Sequence, residues 1–203
     1  MNKQYYYLIA SLPYLIYGRS PHTSVEDFLL LCQSHLSKTD FRILKKITAS
    51  DIVEKIPLAS IFNKRANKLI SKWIRWEMGL RNGLVKLRSK MLGLSGDEFI
   101  RKETCLYPVT PEPGLIESIF EAESPLDARN IMDKARWNHI EKLEYGHYFG
   151  IEKIILYALK LQILNKQSDL DPLKGRKKLE ASLAEFKTDD VDDLPVHDVR
   201  ANY

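Results

Sequence analysis

One stretch of this sequence limits the fold more than any other. It runs from Trp73 to Met91 and reads WIRWEMGLRNGLVKLRSKM. Leu69, Trp73, Trp76, Leu80, Leu84, Leu87 and Met91 follow one another in steps of three and four. That spacing puts them in one stripe along a helix. The pattern predicts a single long helix from about Asn63 to Met91, closed by Gly93 and Gly96. Gly79 and Gly83 should weaken it by roughly 1 kcal/mol each relative to Ala. Two glycines four residues apart also let another backbone come close, so a crossing element is expected there. A strand cannot carry this period, so the stretch commits the chain to helix packing.

Start signals point the same way elsewhere. Thr23-Ser-Val-Glu26 is a capping-box pattern ahead of the apolar run from Phe28 to Leu31. Ser37-Lys-Thr-Asp40 precedes a short helix with Phe41, Leu44 and Ile47 on one face. Ser124-Pro125-Leu-Asp127 places a capping Ser before a Pro at the first helical position. That should open a helix of about 20 residues running past Trp137 and Ile140 to Leu143. A last strong helix is expected from about Phe149 to Lys166. Ile151, Ile154, Ile155, Ala158, Leu159, Gln162 and Ile163 should face one way.

The N-terminal YYYLIASLPYLIY favours strand on propensity. No partner strand follows it, and a lone strand cannot satisfy its backbone. We therefore expect a buried helix ending near Pro13. Residues 104–114, TCLYPVTPEPG, hold three prolines and a glycine and read as a hinge loop. The expected fold is all-α, with roughly eight to ten helices in two lobes. The lobes would span residues 1–103 and 115–168. KGRKKLEASLAEF could form a short amphipathic helix within the polar tail, 169–203, and the acidic end of that tail is poor in apolar residues.

Composition excludes little. Charged residues make up 29% of the 203, and the formal net charge is +4. Neither value by itself implies nucleic acid. The two cysteines, Cys32 and Cys105, have no metal-ligand spacing. Cys32 sits in FLLLCQSHL and should pack as a small hydrophobe, in keeping with a reducing compartment. Three adjacent tyrosines and Pro13 argue against a signal peptide. No window is apolar for long enough to span a bilayer.

Searches for chemistry return little. GxxxxGK[ST], GxGxxG and GxSxG are absent. Glu144-Tyr-Gly-His147 matches the Glu-x-x-His of di-iron bundles, but one copy cannot supply the facing carboxylates such a site needs. A polar helix junction broken by Gly146 is the plainer reading. Asp97-Glu98 should open a helix, where the pair complements the dipole. No residue nominates itself as catalytic, as a metal ligand or as a cofactor contact.

The basic stretch remains. Lys64 to Lys102 contains eleven Lys or Arg against Glu77, Asp97 and Glu98. An exposed face of this kind attracts polyanions, and tryptophans can stack on bases. Both Trp73 and Trp76 lie on the apolar stripe, so they are expected in the core. Glu77 and Arg81 stand at i and i+4 and can pair.

The opening YYYLIASLPYL, the central W-x-x-W-E-x-x-L-R-N-x-L-x-x-L-R block and the late YGHYFGIEKIILYALKLQIL carry a resemblance. Over most of residues 5–166 the chain resembles an uncharacterised bacterial family of about this length, encoded within operons for V-type (A-type) ATPases. That family looks like a short relative of the V-type ATPase C component, called d in eukaryotic-type complexes. Leu80-Arg81-Asn82 through Lys90 is similar to the Leu/Arg-rich helix that recurs there, and Glu152 resembles a Glu carried on its helices. The C/d component is longer, with three helical lobes where this chain has room for about two, and the acidic tail has no placed counterpart.

The resemblance implies a non-enzymatic adaptor that seats the central stalk on the proteolipid ring. It would bind no cofactor and no nucleic acid, and insert nothing into the bilayer. It would be cytoplasmic, held at the inner membrane through protein contacts. Arg75, Arg81, Arg88 and Lys90 would then meet an acidic partner surface. Alternatively, the arginines pair with acids of neighbouring helices, such as Glu141, Glu144 or Glu152. A nucleic-acid-binding helical protein using the 64–102 face is the rival from another class, and an enzyme with a pocket between the lobes is a third.

Overall fold

In the computed structural model the residues described are 4–49, 64–100 and 109–169, with Arg176, Glu180 and Leu183 beyond them. They contain seven α-helices and no strand. These are α1 (Tyr6–Ser11), α2 (Val25–His35), α3 (Lys38–Thr48), α4 (Lys64–Met91), α5 (Leu115–Phe120), α6 (Pro125–Glu144) and α7 (Ile151–Ser168). The all-α expectation holds, with seven helices among the described residues against the eight to ten expected. The chain divides into two units, Met1–Asn165 and Lys166–Tyr203. Most of the expected tail helix, the acidic tail and residues 104–108 of the expected hinge lie outside the described residues.

The helix starts obey local chemistry. Ser37 caps α3 by accepting from Asp40 N, and Ser124 caps α6 by accepting from Asp127 N, with Pro125 at the first position. At α2 the cap is Ser24, one residue later than the capping box predicts. Its hydroxyl accepts from Asp27 N and donates to the Asp27 carboxylate, so Asp27 takes the reciprocal role assigned to Glu26. The expected helix start at Asp97-Glu98 is a single 3₁₀ turn, Gly96–Glu98.

The N-terminal segment is helical, as argued, but it ends at Ser11 and is only half covered. Leu8 is buried, while Tyr6 and Tyr7 face solvent. Tyr5 N donates to Phe149 O at 2.7 Å, which ties the chain start to the turn before α7.

The core of the first unit draws on both sides of residues 104–114. Leu69, Trp73 and Leu80 of α4 join Ile140 of α6 and Ile154 of α7 in one apolar cluster. Burying such side chains contributes about 1.5–3 kcal/mol apiece. α7 runs through this cluster. It is buried all round rather than on the one face its sequence suggests, with even Glu152 and Lys160 enclosed. Gln162 leaves the apolar set by donating to Thr48 O at 3.0 Å.

α4 carries its expected stripe from Leu69 to Leu84. The stripe does not continue: Leu87 is half-buried and Met91 is 66% exposed. The helix outruns the body that covers it. The glycine pair does let neighbours in. A Cβ at Gly79 would lie 1.9 Å from Val109 O, and one at Gly83 would lie 2.8 Å from Ile116 Cδ1. The chain leading into α5 therefore crosses α4 there, and α5 packs beside it.

Candidate functional site

The residues that could meet a partner are on α4, and their surroundings decide which of them are available. Glu77 sits one turn after Trp73 and is buried with it. A carboxylate there must be paired. Arg136 of α6 does this twice: Nη2 donates to Glu77 Oε1 at 2.7 Å and Nε donates to Oε2 at 3.0 Å. Arg136 Nη1 also donates to Asp133 Oδ1 at 2.9 Å. The planar guanidinium grips both oxygens of Glu77 while a third N–H reaches Asp133, a bidentate fit that an ammonium does not give.

Electrostatics follow from this geometry. Burial alone pushes the Glu77 carboxyl up, but the Arg136 hydrogen bonds and charge, aided by Arg81, bring it below its usual range. Burial likewise disfavours charge on Arg136, and Glu77 and Asp133 more than offset it, so its pKa is raised. The group is ionised and internally neutralised.

A second brace lies on the far end of α6. Glu144 receives Lys160 Nζ at 3.1 Å and Lys153 Nζ at 3.2 Å, both from α7. Lys160 Nζ also sits 4.8 Å above the Trp137 ring, and Glu141 accepts from Trp137 Nε1 at 2.8 Å. α6 is thus bolted to α4 by an arginine and to α7 by two lysines.

Between the braces, aromatic rings pack. Trp76 and His139 stack in parallel, with centroids 4.4 Å apart and planes 9° from parallel, and Trp73 lies 5.7 Å from Trp76. Burial pushes His139 down to about 4, so the ring is neutral near pH 7. Its Nε2 is enclosed with no hydrogen-bond partner among the described residues.

The four basic residues singled out from sequence separate here. Arg81 pairs with Glu77 through Nε at 3.0 Å, on its own helix as the i,i+4 spacing indicates. Arg75 is half-buried and engaged. Arg88 and Lys90 are exposed on the last turns. Two of the acids suggested as internal partners, Glu141 and Glu144, hold Lys153 and Lys160 instead. Glu152 is buried in the first turn of α7, where Gly150 leaves room for its carboxylate.

Reading the sequence did not find Arg136. Its partner is 59 residues away, and no spacing rule reaches that far. The one available hint was a lone acid, Glu77, inside an apolar stripe, which demands a cation from somewhere.

Elsewhere the site-like motifs resolve as structure. At Glu144-Tyr-Gly-His147, His147 N donates to Glu144 O and Gly146 takes φ +83° to close the turn. Among the described residues no group of three His, Cys, Asp or Glu is placed to hold a metal ion. No helix among them is long and apolar enough to cross a membrane. Cys32 is fully enclosed, and burial pushes its thiol up to about 12.

Residues 114–188 match a family described as a protein of unknown function (DUF2764). The match takes in α5, α6 and α7, which hold Arg136, Glu144 and Lys160. No curated protein and no solved structure matches the chain.

Proposed function

We propose that this chain is a non-catalytic adaptor or assembly subunit of a V-type (A-type) rotary ATPase, similar to the C/d component. It would join central-stalk to membrane-ring subunits, on the cytoplasmic side and peripheral to the membrane through protein contacts. Support comes first from the sequence resemblance over most of residues 5–166.

The structural observation that carries the reading is the double brace on α6. An element that transmits torque must resist sliding of its helices. Directional ion pairs from α6 to both α4 and α7 oppose such sliding better than apolar contact alone, because a shift of one residue breaks them. Exposed charge then remains for partners at the end of α4, at Arg88 and Lys90.

A nucleic-acid role for the 64–102 face has less support. Trp73 and Trp76 are 6% and 2% exposed, so neither offers a stacking platform. Arg81 is already neutralised by Glu77.

The test is a pull-down from native membranes with a tagged chain, washed at low and then moderate salt. Stalk or ring subunits should be recovered. Nucleic acid alone, or no ATPase subunit, would overturn the proposal.

A further inference from the structure

The end of α4 is built firmly, although it carries apolar side chains outward. Leu94 N donates to Ser89 O at 2.8 Å and Gly93 N to Lys90 O at 3.2 Å, with Gly93 at φ +69°. This is a Schellman closure, which satisfies the last carbonyls of the helix. The 3₁₀ turn at Gly96–Glu98 then folds back on α4: a Cβ at Gly96 would lie 3.2 Å from Lys86 Cα. Ser89 is buried beneath it.

On this ordered frame Met91 and Leu92 are 66% and 73% exposed, with Leu94 and Phe99 also outward. Lys86, Arg88 and Lys90 flank them, all exposed. Several large apolar side chains exposed together on a rigid element mark an interaction surface.

A second exposed patch has the opposite sign. Between Val109 and Ala128 there is no Lys or Arg. Glu117, Glu121 and Glu123 are exposed there, beside the outward Phe120 and Leu126. The two patches sit on adjacent elements. Ile116 of α5 packs at Gly83, eight residues before Met91, which is about 12 Å along the helix. Among the described residues no ion pair joins Lys86, Arg88 or Lys90 to Glu117, Glu121 or Glu123.

We infer that the end of α4 docks on a second copy of this chain, its Lys86/Lys90 edge meeting the Glu117/Glu121/Glu123 edge of the other copy. Neighbouring patches of opposite sign are self-complementary about a two-fold axis, so two such contacts form together and the assembly closes as a dimer. Charge sets the pairing, and the apolar residues supply the burial. The dimer does not depend on the adaptor role. If the chain is an adaptor, a stalk or ring partner that uses Arg88 and Lys90 must displace the second copy.

Sedimentation velocity on the full chain tests this, from about 1 to 100 µM at low and high salt. A concentration-dependent dimer that weakens at high salt is expected. Lys86→Glu with Lys90→Glu should weaken the dimer about tenfold or more, and so should Glu117→Lys with Glu121→Lys. All four changes together should restore it, because the signs again oppose. Leu92→Ser should also weaken it, with circular dichroism unchanged in every variant. A monomer at all concentrations would overturn the inference, as would a dimer indifferent to both charge reversals or four changes that fail to restore it. A ladder of larger species would contradict the two-fold arrangement. A monomer that instead floats with phosphatidylserine vesicles would assign the tip to a membrane surface and overturn the dimer.

Discussion

Arg136 reaches across from α6 to grip Glu77 of α4, with Nη2 2.7 Å from Oε1 and Nε 3.0 Å from Oε2. The contact joins two helices whose apolar faces already pack, and it fixes their relative register. Breaking it leaves buried Glu77 with Arg81 of its own helix alone, and takes from Asp133 its 2.9 Å donor. With Arg81 still in place, Arg136→Ala should cost up to about 3–5 kcal/mol in urea unfolding. Replacing both partners, Glu77→Leu with Arg136→Met, should cost less, since the buried Glu77 charge leaves with its partner and Asp133 keeps Arg129 at 3.5 Å.

The same pair sets an acid limit. The Glu77 carboxyl lies below its unfolded value. Its stabilising contribution is present above the unfolded pKa, about 4.3, and is lost as pH falls through the lower folded one. His139 acts over a higher window. Its folded value of about 4 is depressed, so protonation favours the unfolded chain as pH falls from about 6.5 towards 4. His139→Phe should flatten the decline of Tm between pH 7 and pH 5. An unchanged decline would show that the ring titrates normally.

Gly79 and Gly83 should respond differently to Ala. In an open helix either change would stabilise by roughly 1 kcal/mol. At Gly79 the new methyl meets Val109 O, a backbone atom that cannot swing away. Gly79→Ala should destabilise by about 1–3 kcal/mol in thermal unfolding. At Gly83 the obstacle is the tip of Ile116, which has other rotamers, so the loss should be smaller.

Charge reversal sorts the basic residues. Arg88→Glu changes an exposed side chain and should leave stability within about 0.5 kcal/mol. It should still reduce recovery of an acidic partner. Arg81→Glu sets a second carboxylate beside buried Glu77 and should lower Tm, so lost binding in that variant would report on the fold. Comparing Tm with partner recovery for each variant separates the two effects.

Cys32 provides a probe of the core. With its thiol held up near 12 and fully enclosed, it should resist iodoacetamide at pH 8 in the native chain and react after denaturation.

Local chemistry was legible. Ser37 and Ser124 cap where their side chains and following acids indicate, and the steps of three and four along α4 locate both buried tryptophans. The glycine pair announced the close crossing before its partner was known. What periodicity could not show was coverage. Met91 continues the arithmetic of the stripe, yet it is 66% exposed, and among the described residues α5 packs beside α4 at Gly83, two turns earlier. α7 shows the converse. Its apolar residues were expected to face one way, but Glu152 and Lys160 are enclosed as well, with Lys160 neutralised by Glu144. The Arg136–Glu77 contact belongs to the same class, since partners on different helices are set by packing and leave no spacing signature.

The most direct measurement of the adaptor role is the membrane pull-down with wild-type and Arg88→Glu chains, paired with a Tm for each. Wild type should bring down V-type ATPase stalk or ring subunits, and the variant should recover fewer at equal Tm. Wild type that recovers no ATPase subunit would contradict the adaptor role.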